Sequence, residues 1–116
     1  MNPGTRVCIA YVAGRIISGR KRGHIYDFGR SKFILFSGSV DDKKANVYDH
    51  DRGCHFSGTL PSLYDFGGSH HVSIKIDGSR FSGYDFGASH HFNGTVRNAT
   101  VSVYDFGASS FFTYSI

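Results

Sequence analysis

Tyr84-Asp85-Phe86-Gly87-Ala88-Ser89-His90-His91-Phe92-Asn93-Gly94 is the stretch on which the fold turns, because its pattern recurs along the chain. Tyr-Asp appears at Tyr26, Tyr48, Tyr64, Tyr84 and Tyr104, at spacings of 22, 16, 20 and 20 residues. Four copies continue Asp-Phe-Gly, and the second reads Tyr48-Asp49-His50-Asp51. Eight residues after each Tyr stands a hydrophobic residue: Ile34, Phe56, Val72, Phe92 or Phe112. Self-similarity at such a period marks a supersecondary unit repeated to build one core. The turn after Tyr-Asp therefore keeps its length, while the connection at the other end varies.

That other connection reads as a hairpin turn. Asp77-Gly78, flanked by Ser73-Ile74-Lys75-Ile76 and Ser79-Arg80-Phe81, is a strong short hairpin signal. Pro61-Ser62 and Arg97-Asn98 hold the equivalent place, and Asp41-Asp42-Lys43-Lys44 is a longer version. Turns at both ends of every strand predict an up-and-down antiparallel meander of about ten to twelve short strands. The expected fold is all-β, with five hairpin repeats over residues 24–116. Residues 1–23 are expected to add N-terminal strands, and residues 1–116 to form one domain.

A two-residue Asp77-Gly78 loop pairs Ile74 with Phe81 and Val72 with Gly83. A two-residue Ala88-Ser89 loop puts Asp85 opposite Phe92, with His70 opposite Asp85. One face then carries Val72, Ile74, Ile76, Phe81, Phe92, Val96, Val101, Val103 and Phe112; the other carries Tyr84, Phe86, His91, Asn93, Thr95, Ser102 and Tyr104. Such alternation is the mark of a half-buried sheet. Gly58, Gly83 and Gly94 fall on the inner face, where they let the sheet coil. A single-layer sheet with an aliphatic face must close on itself, and about eight strands is the size that side chains alone can fill. A flattened barrel or sandwich follows, or a barrel with a cavity.

Composition bounds the function. Aromatics make up 16% of the 116 residues, which argues against disorder, and all nine acidic residues are Asp. The net charge of +4 is uneven: residues 1–44 hold nine Lys/Arg against three Asp. The run Arg20-Lys21-Arg22 is a candidate phosphate contact, but charge runs are commonly solvated loops, and nucleic acid is not an expected partner. The apolar stretch Val7 to Ala13 is too short for a signal peptide or membrane span, so a cytoplasmic location is expected and no membrane partner. Cys8 and Cys54 lack CxxC spacing and read as ordinary thiols.

The repeated Asp27, Asp49, Asp65, Asp85 and Asp105 read as turn staples, each accepting backbone N–H groups beyond the strand end. A catalytic group is needed once, not in every copy. Asp-Phe-Gly also marks protein kinases, but the glycine-rich loop, lysine strand and catalytic loop that accompany it there are absent. No serine elbow or phosphate loop is present either, so no enzyme activity, catalytic residue or cofactor is expected. The candidate ligand-binding residues are His55, His70, His71, His90, His91, Tyr64 and Tyr84. Adjacent histidines point to opposite faces of a strand, so neither His-His pair can chelate one ion, and no metal site is assigned. The row Tyr26, Phe28, Tyr48, Tyr64, Phe66, Tyr84, Phe86, Tyr104, Phe106, Phe111 is a cross-strand ladder, or a platform for sugars or bases.

The pattern Tyr-Asp-(Phe or Tyr)-x-x-x-x-His-(Phe or Val), with the Phe-Phe-Thr-Tyr-Ser-Ile tail, resembles small bacterial hypothetical proteins of the kind found in integron gene cassettes. The likeness rests on Tyr64 to Val72, Tyr84 to Gly94 and Tyr104 to Ile116, with Tyr48 to Gly58 as a degenerate copy. It implies a bacterial origin and no mechanism. His50, where the other copies have Phe, points to an altered turn in the second copy. The expected function is a non-enzymatic structural or binding protein acting through a sheet face, edge or oligomer interface. Its partner would be another copy, a second protein or a small molecule. The alternative is a carrier of small apolar ligands in a partly filled barrel; a metal protein using the His and Asp rows is more distant.

Overall fold

A computed structural model describes all residues, Met1–Ile116. Ten strands form an antiparallel meander: β1 (His24–Asp27), β2 (Lys32–Val40), β3 (Lys44–Asp49), β4 (Cys54–Thr59), β5 (Ser62–Asp65), β6 (His70–Asp77), β7 (Arg80–Asp85), β8 (His90–Arg97), β9 (Thr100–Asp105) and β10 (Ser110–Ser115). Each strand pairs with its sequence neighbours, and β1 pairs with β10 to close a barrel. The five hairpin repeats and the all-β wall are as the repeat pattern predicts.

The expected strands in residues 1–23 are instead a helix, α1 (Pro3–Ser18), which runs inside the barrel. The side chain of Asn2 caps it by accepting the Gly4 N–H at 2.8 Å, Pro3 occupies its first turn, and Gly19 closes it in the left-handed conformation. Residues Gly4 to Gly14 are buried without interruption, so the helix has no wet face. It settles the question of what fills a ten-stranded wall. The radius of gyration, 12.1 Å, lies below the ~13 Å typical of this chain length, as a filled lumen requires. Val7, Ile9, Tyr11 and Val12 of α1 join wall residues such as Ile34, Phe56, Leu63, Val72, Ile74 and Phe92 in one core. Each such side chain contributes about 1.5–3 kcal/mol by leaving water. Gly14 fits the helix against Val101 and Ile116, where a larger residue would crowd both.

The inner and outer faces are those the alternation predicts, but the pairing is shifted. Val72 lies opposite Asp85, Ile74 opposite Gly83, and Ile76 opposite Phe81; Asp85 faces His90 rather than Phe92. The hairpin loop is Gly78-Ser79 rather than Asp77-Gly78, and the repeat turn is the four residues 86–89 rather than two. Each shift is two places, which returns every side chain to its face. Gly83 and Gly94 face inward beneath Phe92 and Phe81, and a Cβ on either would overlap a ring and a neighbouring strand's carbonyl. The sheet coils tightly there, as those glycines suggest.

Candidate binding surface

Every odd strand ends in the repeated Asp, so five carboxylates converge at one end of the barrel, here called the rim. All five are buried. In each copy one carboxylate oxygen accepts N–H groups from the turn that follows: Asp85 from Gly87 at 2.9 Å and Ala88 at 3.3 Å, Asp105 from Gly107 and Ala108 at the same distances. Asp49 and Asp65 repeat the arrangement, and Asp27 keeps one such bond, from the Arg30 N–H at 3.2 Å. The fourth turn residue is left-handed in all five, a serine in four copies (Ser31, Ser69, Ser89, Ser109) and Gly53 in the second. The second turn thus keeps its length and shape despite His50.

The second oxygens of Asp49, Asp65 and Asp105 hold the helix, while that of Asp27 pairs with Arg30. α1 enters at the rim, so its positive dipole end meets the aspartates. Thr5 Oγ1 donates to Asp65 Oδ2 at 2.5 Å, Arg6 Nη1 donates to Asp105 Oδ2 at 3.2 Å, and the Cys8 thiol faces Asp49 Oδ2 at 3.6 Å. Arg52 binds three groups together, with Nε 2.9 Å from Asp49 Oδ2, Nη2 3.0 Å from Asp65 Oδ1, and Nη2 3.3 Å from Cys8 Sγ. Burial pushes the Asp65 carboxyl up, but hydrogen bonds from Arg52 and Thr5 outweigh it and hold its pKa below the ordinary value. Asp105 is lowered in the same way, burial being outweighed by the Met1 amino group and the turn amides. Burial, reinforced by Asp49, raises the Cys8 thiol well above its usual range, so it stays protonated. Burial likewise pushes Tyr114 up to about 12, with its hydroxyl accepting from Arg6 Nε at 3.1 Å.

The histidines divide by face. His70 and His90 lie at the inner rim; His55, His71 and His91 lie outside. His70 Nε2 is 2.9 Å from Asp85 Oδ1 and 3.9 Å from Asp65 Oδ2, yet no hydrogen-bond geometry is met. His70 leans over Gly87 and His90 over Gly107, where a Cβ would collide with the imidazole, which gives the glycine of Tyr-Asp-Phe-Gly its role. The second copy has Asp51 at that place, and the facing rim residue is Lys32, whose Nζ pairs with Asp51 Oδ1 at 2.9 Å. No three His, Cys or Asp side chains gather as metal ligands, and Cys8 and Cys54 are both free thiols.

Outside, each repeat Tyr is the hub of an aromatic triad. Tyr84 meets Phe86 at 4.8 Å and His91 at 4.7 Å between ring centroids, both edge-to-face. Tyr64 takes Phe66 and His71, Tyr48 takes His50 and His55, Tyr104 takes Phe106 and Phe111, and Tyr26 takes Phe28 and Phe33. The candidate residues Tyr64, Tyr84, His55, His71 and His91 therefore belong to one collar, and His70 and His90 do not. Edge-to-face pairs add about 0.5–1.5 kcal/mol each, yet the collar stays wet: Phe28, Phe66, Phe86 and Phe111 are 54%, 55%, 58% and 67% exposed. Beyond the collar the outer wall turns polar, with Ser73, Lys75, Ser82, Asn93 and Ser102 over β6–β9. This is the reverse of the alternation in a lipid-embedded barrel. No helix is long and apolar enough to cross a membrane.

The main hollows all open outside the wall. One of about 620 Å³ lies over β6–β9 between Lys75, Ser82, Asn93, Thr95 and Phe111, and one of about 420 Å³ adjoins it beside Tyr84, His91 and Phe106. A third, about 400 Å³, lies along β1 between Arg20, Arg22, His24, Tyr26 and Phe33. The lumen is occupied by α1, so the partly filled interior that a carrier needs is absent, and closure leaves no sheet edge for a partner strand. Sequence reasoning missed Arg52 and Lys75, and named Asn93 only as an outer-face residue. Only Arg52 had a signal, the irregular second turn. No family model matches the chain, and neither a curated protein nor a solved structure shows detectable similarity to it.

Proposed function

We propose that the protein is a non-enzymatic binding module that recognises its partner through the outer face of the barrel wall. The observation that carries this reading is the collar: five aromatic triads remain exposed on a closed barrel whose core is already complete. A contiguous apolar surface of this kind is what recognition sites present. The buried carboxylates speak against catalysis, because turn amides, α1 and the rim cations occupy them. The hollows over β6–β9 and β1 place hydroxyl, amide and cationic groups beside the collar rings, the mixture that orients a ligand with a flat face.

The test is aromatic carbon–proton NMR during titration with flat-faced fragments: phenol, a nucleoside and a short glucose oligomer. Shifts of the collar tyrosines and phenylalanines with at least one fragment are expected. Silence of the collar for all of them, or shifts confined to interior rings such as Tyr11 and Phe56, would remove the reading.

A further inference from the structure

The two ends of the barrel treat positive charge differently. At the rim, Arg6, Arg30, Lys32 and Arg52 each pair with an aspartate. At the other end, where α1 finishes and the even strands turn, stand Arg15, Arg20, Lys21, Arg22, Lys43, Lys44, Arg80 and Arg97. Not one of these eight makes an ion pair with Asp41, Asp42 or Asp77, the three carboxylates of that end. Residues 20–22 are exposed there. Eight cations against three aspartates leave this pole strongly positive, and such a field attracts a polyanion.

Which polyanion is decided by what adjoins the charge. The groove along β1 has Arg20 and Arg22 at one end and Phe28 at the other, with His24, Tyr26 and Phe33 between. Its rings are locked edge-to-face, His24 with Phe33 at 5.5 Å and Tyr26 with Phe33 at 4.8 Å, while Phe33 remains 61% exposed. The hollow over β6–β9 also holds two cations, Lys75 and Arg80, but Asp77 lines it with them and Phe111 is its one exposed ring; the β1 groove has Arg20 and Arg22 with no acidic side chain. Alternate residues on one strand share a face about 7 Å apart, so the rings form a row leading from the cations. Cations beside a row of rings, the half-buried His24 and Tyr26 with the exposed Phe28 and Phe33, suit a chain of phosphates with free bases, because every base has a π face and a duplex hides it.

We infer that this sector, residues 20–35, binds single-stranded nucleic acid, with Arg20 and Arg22 on phosphates and Phe33, Tyr26 and His24 under bases. The inference rests on the outer-face reading and gives it a ligand class. In the sequence alone Arg20-Lys21-Arg22 is one more solvated run; the fold sets it beside the aromatic row.

Fluorescence anisotropy of a labelled oligothymidylate of about a dozen nucleotides tests it, beside a duplex of equal length, inorganic polyphosphate as competitor, and phosphatidylglycerol vesicles. Single strand should bind about tenfold or more tighter than duplex, and Phe33→Ala should weaken it by about tenfold while the barrel stays folded by circular dichroism, its melting lowered only by the lost contacts to His24 and Tyr26. Phe33→Tyr should restore binding. Arg20→Ser with Arg22→Ser should lower the slope of log affinity against log salt by about 1.4, two phosphate contacts' worth. Equal affinity for duplex, full competition by polyphosphate at matched charge, tighter capture by vesicles, or indifference to Phe33→Ala would each overturn the inference. If the oligonucleotide fails while collar rings still answer the fragments, the ligand class alone is wrong; if both fail, the outer-face reading falls with it.

Discussion

The rim and the basic pole of this barrel are built from the same residue types and use them in opposite ways. At the rim, charge points inward: five carboxylates tie their own turns, and three of them, Asp49, Asp65 and Asp105, receive the positive end of α1 and hold Arg6 and Arg52. At the pole, Arg20, Lys21 and Arg22 are exposed and make no ion pair. A buried carboxylate is tolerable only when its hydrogen bonds are complete, so the rim is an all-or-nothing network. An exposed unpaired cation costs the fold almost nothing and remains available. The difference teaches that a charged residue repeated in every copy and held in hydrogen bonds signals structure, while charge gathered without partners is left free for a ligand, as we propose for Arg20 and Arg22.

Changes at the rim should be costly and changes at the pole should not. The largest effect is expected for Arg52→Met, which leaves Asp49 and Asp65 buried without their shared partner. A loss of about 3 kcal/mol in denaturant unfolding is predicted, and a loss below about 0.5 kcal/mol, the surface range, would break the contrast. Acid should expose the same network. The folded pKa values of Asp65 and Asp105 lie below their ordinary value of 3.8. Their stabilisation is therefore complete above the unfolded value and is lost as pH falls through the folded values. Melting temperature should fall steeply below about pH 4, and Asp65→Asn should flatten that limb. Asp85→Ala should cost about 1 kcal/mol through the lost turn bonds to Gly87 and Ala88. Smallest of all, Arg20→Ser with Arg22→Ser should move unfolding by less than about 0.5 kcal/mol.

How much of this was legible depends on which periodicity carried the information. The wall was legible because strand alternation has period two, and even a register misplaced by two residues left Val72, Ile74 and Phe92 inside and Tyr84 and His91 outside. The aspartate staples were legible because an Asp before every turn has one mechanical explanation. The helix was not, since residues 4–14 are buried all round and show no apolar stripe with a 3.6-residue repeat. Its caps, Asn2-Pro3 and Gly19, were the available sign. The irregular sequence of the second turn marked Arg52 out, but its role was hidden because its partners Asp49, Asp65 and Cys8 come from three separate elements. The collar's meeting with Arg20 and Arg22 depends on where α1 leaves the lumen, which no local pattern encodes.

The central claim is that the inside of this barrel is structure and the outside is recognition. Backbone amide chemical-shift mapping with the oligothymidylate tests it most directly, because it reports every residue at once. The account predicts shifts on residues 20–26 and on Phe33, with Asp65, Asp85 and Asp105 and their turns undisturbed. Shifts centred on the rim turns or along α1, or none at saturating oligonucleotide, would contradict it.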